Sequence, residues 1–195
     1  NAYYMNYTNQ LVLTGAVNDV GNPIRRNVDE SYRRGIELIG MKSVMKNKLT
    51  FEGNLTLSQN KIKSFTDVYY DYGDFFDKYD EVKVIHKNTD ISFSPNVIGF
   101  LGITDKHIKN LQLGINLKYV GKQYLDNTQN ESQKLNSYST INLNFQKEIK
   151  IKNAPIIVFR GVVNNLGSIN YTNNGYTFKY VLKKEIITEN FYYPQ

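Results

Sequence analysis

Apolar and polar residues alternate one by one over long stretches of this chain, and no other feature restricts its fold as much. In residues 49–58, Leu49, Phe51, Gly53, Leu55 and Leu57 fall on one parity, with Thr50, Glu52, Asn54, Thr56 and Ser58 on the other. In residues 111–121, Leu111, Leu113, Ile115, Leu117 and Tyr119 oppose Gln112, Gly114, Asn116 and Lys118. In residues 137–146, Ile141, Leu143 and Phe145 oppose Asn142, Asn144 and Gln146. A β-strand sends successive side chains to opposite faces, so these are strands with one apolar and one polar face. Helical spacing fits none of them. Seven strands are expected, near 1–13, 31–40, 48–62, 92–104, 109–124, 135–149 and 155–166.

A soluble antiparallel sandwich alternates in the same way, with its apolar face packed on a core. Two features favour a barrel in lipid. The apolar faces end in tyrosines, expected as Tyr3 and Tyr7 on the first strand, Tyr32 on the second and Tyr119 on the fifth. Phenol rings suit the boundary between hydrocarbon and headgroups, and membrane barrels carry aromatic girdles there. The connections also sort by length. Those at 41–47, 105–108 and 150–154 are short, whereas 14–30, 63–91, 125–134 and the tail from Gly167 are long. Short turns on one side and long loops on the other are the asymmetry of outer-membrane barrels. Several strands also exceed the roughly 9–11 residues that a tilted strand needs to cross a bilayer.

Composition narrows the alternatives. There are 16 Tyr and 10 Phe but no Cys, so stability has to come from a large sheet or a membrane rather than from disulfides. The net charge of +6 is dispersed among acids instead of forming a basic stripe, so no nucleic-acid partner is expected. The longest apolar run, Ala154–Phe159, is far below the roughly 18 residues of a transmembrane helix. The chain opens on Asn1 and is read as an internal piece of a longer precursor.

Candidate sites lie in the long connections. Asp67, Asp71, Asp74, Asp77 and Asp80 recur in DVYYDYGDFFDKYDE (67–81), but their spacing is not that of a calcium loop. They read as solvated, and no metal is expected. The same segment carries Tyr69, Tyr70, Tyr72, Phe75, Phe76 and Tyr79, rigid rings that suit either ligand capture or self-packing of a long loop. Arg25 and Arg26 follow Gly21-Asn22-Pro23 on the same side, where they can meet an anionic group or simply be solvated. Arg34 has outward parity and belongs near the outer headgroups, where its cost is about 0–1 kcal/mol rather than the roughly 2–4 of the midplane. His86 and His107 fall at opposite ends and cannot share a metal. No nucleophile triad, phosphate loop or dinucleotide turn is present, so neither catalysis nor a cofactor is expected.

Seven segments together resemble one family: YYMNYTNQLVLTG (3–15), NDVGNPIRRNV (18–28), SYRRGIEL (31–38), NLTLSQNKIKSF (54–65), NTDISFSP (88–95), YVGKQYLDNT (119–128) and VVNNLGSINYTNNGY (162–176). In order, they resemble the last barrel strands of TonB-dependent receptors of the bacterial outer membrane. The resemblance implies an all-β, antiparallel transmembrane barrel of about 22 strands, of which residues 1–195 supply the C-terminal portion, about seven strands. A plug domain and the closing strand are expected outside this sequence. It further implies energy-coupled import of a scarce ligand, with ferric siderophores as the leading class. The implied partners are the TonB complex through the plug, outer-membrane lipid and lipopolysaccharide, a small ligand such as a ferric chelate, and a surface lipoprotein. A passive porin-like channel and an adhesion or assembly barrel are the alternatives. The sheet is expected to be open, with strands 1–13 and 155–166 at its two edges, because seven strands would close too narrow a lumen for large polar side chains.

Overall fold

A computed structural model describes residues 1–75, 77–152, 154–182 and 185–195. Seven long strands form a wall: β1 (Ala2–Val17), β2 (Pro23–Val44), β3 (Leu49–Asp71), β5 (Val97–Asp105), β6 (Leu111–Val120), β9 (Tyr138–Ile149) and β10 (Ile157–Val163). Each is antiparallel to the next, in the order β1-β2-β3-β5-β6-β9-β10. Strands β1 and β10 stand at opposite ends of that order, so the sheet is open, as expected. Among the described residues the one helical element is a 3-10 turn at Glu131–Gln133.

The register fixes the faces of the wall. Leu57 pairs with Ile36, Leu55 with Leu38, Leu117 with Leu101 and Ile141, and Ile115 with Ile103 and Leu143. Directly paired residues share a face, so these side chains make one continuous apolar surface. Among the described residues no second layer covers it. Leu55, Leu57, Leu113, Ile115 and Leu117 are 36–45% exposed, and Leu143 is half-buried. The opposite face carries Glu52, Asn54, Asn116, Lys118, Asn142 and Asn144, with Asn116 directly across from Asn142.

Two expectations need correction. The outward tyrosine of β1 is Tyr4, not Tyr3 or Tyr7. Tyr4 pairs with Arg34, which pairs with Gln59, and its ring stacks 6.2 Å from that of Tyr32. Tyr3 and Tyr7 lie across from Gly35 and Ser31, on the polar face. The cause is Asn9, whose φ of 58° breaks the alternation. Ser31 pairs with Tyr7 yet hydrogen-bonds Gln10 at 2.5 Å, so inward parity changes between those residues and cannot be carried from Leu11 and Leu13 back to Tyr3. Tyr32 and Tyr119 keep their outward parity.

The long connections, too, are largely not loops. Residues 14–30 are mostly the upper halves of β1 and β2, closed by a tight turn in which Asn18 Oδ1 accepts from the amides of Val20 and Asn22 and Gly21 takes φ +80°. In 63–91, β3 runs on to Asp71 and pairs with β4 (Asp80–Asp90). Within 121–136, the short strands β7 (Gln123–Tyr124) and β8 (Lys134–Leu135) pair with each other. The tail folds as a hairpin of β11 (Thr172–Leu182) and β12 (Glu185–Pro194). Turns at the other end are short, with Met45, Lys46 and Asn47 at positive φ between β2 and β3.

Candidate functional site

The upper hairpins gather into a cap with a small core of its own. Val12, Val28, Ile62 and Ile91 are buried together with Phe65 against them, and Leu125 and Leu135 are fully buried nearby in sequence to β7 and β8. Several of its polar groups are paired across elements. Ser92 Oγ and Asn127 Nδ2 both donate to the carbonyl of Leu13, at 2.9 and 2.7 Å, and the Ser92 amide donates to Asn127 Oδ1. Gly15, at φ +88°, permits this approach, because a Cβ there would lie 2.6 Å from the Leu125 carbonyl oxygen.

At the centre of the cap sits Lys179 of β11. Its ammonium donates to Asp126, lies 3.7 Å from Asp67 of β3 and stands 5.8 Å above the ring of Tyr69. The Asp126 side chain is 2% exposed and that of Lys179 11%. Gln133, fully buried, donates to Thr177 Oγ1 at 2.8 Å. Burial, with Asp67 beside it, pushes the Tyr69 phenol far above its usual range. On the cap surface Glu131 receives Lys122 and Lys134, both at 2.8 Å, and the Tyr124 hydroxyl at 2.6 Å. The Lys122 hydrogen bond, then Lys134 and Tyr124, lower its carboxyl to about 2.

The structure places the aromatic residues of 67–81 in different settings. Tyr70, Tyr72 and Tyr79 come together, Tyr79 stacking on Tyr70 at 4.7 Å and meeting Tyr72 edge-on at 5.8 Å. Tyr180 from β11 joins them through Tyr72, 6.5 Å away. Phe75 is 86% exposed at the hairpin end. Tyr69 lies apart from this stack, buried beneath Lys179. Phe76 lies outside the described residues. Arg25 and Arg26 sit on the neighbouring hairpin, where Arg26 Nη1 donates to the Thr66 carbonyl at 2.9 Å and Arg25 is exposed. The side chains that organise the cap, namely Lys179, Asp126, Gln133 and Thr177, escaped sequence reading. A signal existed: Gly175, Thr177, Lys179 and Val181 alternate on the inner face of β11.

The acidic residues of 67–81 do not converge. Asp71 Oδ1 accepts from the Gly73 amide, and Asp67 faces Lys179. Among the described residues no group of three or more His, Cys, Asp or Glu is placed to hold a metal. His86 stacks 5.0 Å from Phe65, while His107 bonds Asp105 in a short turn at the other end.

Comparison with known proteins bears on the whole arrangement. A family model described as TonB dependent receptor-like, beta-barrel matches residues 1–166. The siderophore receptor PiuA from Acinetobacter baumannii aligns over 98% of this chain with a TM-score of 0.61 and 19% identity. BauA, the ferric preacinetobactin receptor from the same organism, aligns over 88% with a TM-score of 0.59 and 17% identity. At these identities the likeness concerns the fold. The chain spans about a quarter of the length of either structure, 25% of the first and 23% of the second. No curated protein matches it by sequence. The open antiparallel wall, its uncovered apolar face and the family match agree: this chain belongs to the TonB-dependent receptor-like β-barrel family and forms part of an outer-membrane barrel.

Proposed function

We propose that the chain is the C-terminal portion of the barrel of a receptor that imports a ferric siderophore, driven through TonB by a plug domain encoded elsewhere in the same protein. The observation that carries this reading is the pairing of a lipid-facing wall with an aromatic cap, in a family to which siderophore receptors belong and on a fold that two such receptors share. Tyr70, Tyr72, Phe75, Phe76 and Tyr79 supply aromatic contact area for an incoming chelate. Arg25 and Arg26 supply charge for its carboxylates or for lipopolysaccharide phosphate. Tyr69 serves instead as packing beneath Lys179. A surface lipoprotein fits the exposed hairpin ends as a further partner.

The test is uptake of radiolabelled iron chelates by cells carrying or lacking the full-length receptor, with and without TonB. Uptake that needs both supports the proposal. Passage of small solutes that persists without TonB would return the passive channel. In the transporting strain, Tyr79→Ala should raise the half-saturating chelate concentration about tenfold, the scale of one lost aromatic anchor.

A further inference from the structure

Basic and acidic residues interleave along the sequence, but the fold sorts them. At the turn joining β2 to β3 stand Lys42, Lys46 and Lys48, and at that joining β5 to β6 stand Lys106 and Lys109. The turn joining β9 to β10 brings Lys147, Lys150 and Lys152. Taken up to the paired rows Lys42–Phe51 and Lys147–Phe159, this end of the wall sets eight lysines against two acids, Asp105 and Glu148. Its excess equals the net charge of the whole chain, +6, so the remainder is balanced. Glu52 and Arg160, one row further from the turns, lie on the inner face and offset each other. In the cap, by contrast, lysines meet carboxylates: Lys61 with Asp90, Lys63 with Glu30, Lys179 with Asp126. Among the described residues no ion pair reaches any of the eight turn-end lysines. Asp105 is already occupied, accepting from the His107 amide at 2.9 Å and bonding its ring Nδ1 at 2.7 Å.

The apolar residues among these lysines identify the surface they meet. Each turn sets one apolar side chain beside lysines: Met45 next to Lys46, Ile108 between Lys106 and Lys109, and Ile151 between Lys150 and Lys152. All three are more than half exposed. Two of the lysines also belong to the lipid-facing parity. Lys42 pairs with outward Phe51, and Lys147 lies between outward Leu111 and Phe159. The Lys147 ammonium donates to the Lys109 carbonyl, 3.4 Å away in the neighbouring turn. A long cationic side chain so placed lays its methylenes on apolar neighbours and carries its charge to the headgroups. Short turns of an outer-membrane barrel lie on the periplasmic side, so these headgroups are those of the inner leaflet. An acidic macromolecule free in the periplasm would use the charges but leave the exposed apolar side chains, and outward Lys42 and Lys147, without a role. We propose that the turn end of this barrel binds anionic phospholipid of the inner leaflet. The lysines hold the phosphodiester groups, while Met45, Ile108 and Ile151 enter the boundary with the acyl chains. The chemistry is that of an interfacial amphipathic helix, distributed here over three turns. It is independent of the ligand that the barrel imports.

The test uses the full-length receptor purified in a neutral detergent and titrated with three probes: short-chain phosphatidylglycerol, phosphatidylcholine of the same chain length, and polyglutamate. Phosphatidylglycerol should bind at least about tenfold more tightly than phosphatidylcholine and lose that advantage as salt rises from about 0.05 to 0.5 M. Lys106→Gln combined with Lys109→Gln should weaken it about 25-fold, or roughly fivefold per lysine. Lys83→Gln, the same change on the cap, should stay within about twofold. Ile108→Ser combined with Ile151→Ser should weaken phosphatidylglycerol about tenfold and leave polyglutamate unchanged. Equal binding of the two phospholipids, or wild-type affinity in the assembled lysine variant, overturns the proposal. Polyglutamate bound as tightly as phosphatidylglycerol, with the serine changes silent, also overturns it and makes the patch a seat for a soluble acidic macromolecule. If the lysine variant fails to assemble, the salt dependence of the wild type decides alone. Iron uptake is scored separately, so failure of the transport proposal is distinguishable from failure of this one.

Discussion

The wall and the cap are built from the same strands and obey opposite rules. In the wall, Leu57 and Ile115 stay more than two-fifths exposed, and polar Asn116 and Asn142 face each other across the inner surface. In the cap, a few residues further along β3, Ile62 is fully buried, and the charged partners Lys179 and Asp126 are taken out of solvent together. The burial rule for apolar side chains assumes water on the outside. For the wall the outside is hydrocarbon, so its leucines are at home where they look stranded. The cap stands in water and has to supply its own interior. One strand can therefore cross between two solvents, and its residues are intelligible only when the local solvent is named.

The largest test exchanges the two rules. Leu57→Arg puts a charge on the lipid face, one outward pair below Gln59 and Arg34, at a cost above the roughly 0–1 kcal/mol of the interface, and should sharply reduce outer-membrane assembly. Asn54→Arg, on the inner face of the same strand, should assemble normally. Heat-modifiable migration of the fractionated receptor reads both, and equal assembly of the two variants would break the division of faces. Confined to the cap is the effect of Asp126→Ala, which leaves Lys179 buried without its main partner and should cost the cap about 3–5 kcal/mol while sparing assembly. The wall should still assemble, while protease added to whole cells should cut the β11–β12 hairpin far faster. Loss of the barrel itself would show that wall and cap are one cooperative unit. Smaller still is the removal of one methylene. Ile62→Val should destabilise the cap by about 0.5–1.5 kcal/mol, whereas Leu55→Val in the wall should change assembly little, since lipid fills the space.

The smallest effect is one of pH. The Glu131 carboxyl is lowered from 4.5 to about 2 by Lys122, Lys134 and Tyr124. A carboxyl lowered in the folded state adds stability that is fully present above its unfolded value and is lost as pH falls through the folded one. The anchoring of residues 121–136 should accordingly weaken between about pH 4.5 and 2, as read by hydrogen exchange of that segment. In Glu131→Gln the acid-dependent step should vanish, leaving exchange faster at neutral pH.

How much of this was legible in the sequence follows the same boundary. The wall was readable because period two with one apolar face states which side each residue takes, and short turns leave sequence neighbours paired. Tyr3 and Tyr7 were misread because one left-handed residue, Asn9, shifts parity without leaving a hydrophobic trace. Strand β4 was hidden by its approach, since the acids and tyrosines of 67–81 look like a loop although Val82, Val84 and His86 alternate beyond them. The cap's centre was the least legible. Lys179 and Asp126 lie 53 residues apart, and nothing local in either names the other. Tyr180 joined the aromatic stack for the same reason, through tertiary contact alone.

The unbroken run of β3 from Leu49 to Asp71 has a mechanical consequence. At roughly 3.3 Å per residue its 23 residues extend about 75 Å, well beyond a hydrocarbon layer of about 30 Å even at a steep tilt. Over that run no residue takes a positive φ, and β2 is bonded alongside from Val44 to Ser31. The upper hairpin is thus a stiff beam clamped in the membrane rather than a flap on a pivot. A push at its tip is resisted by bending of the paired strands, so the load travels down the backbone ladder to the turn at Met45–Lys48 on the far side of the bilayer.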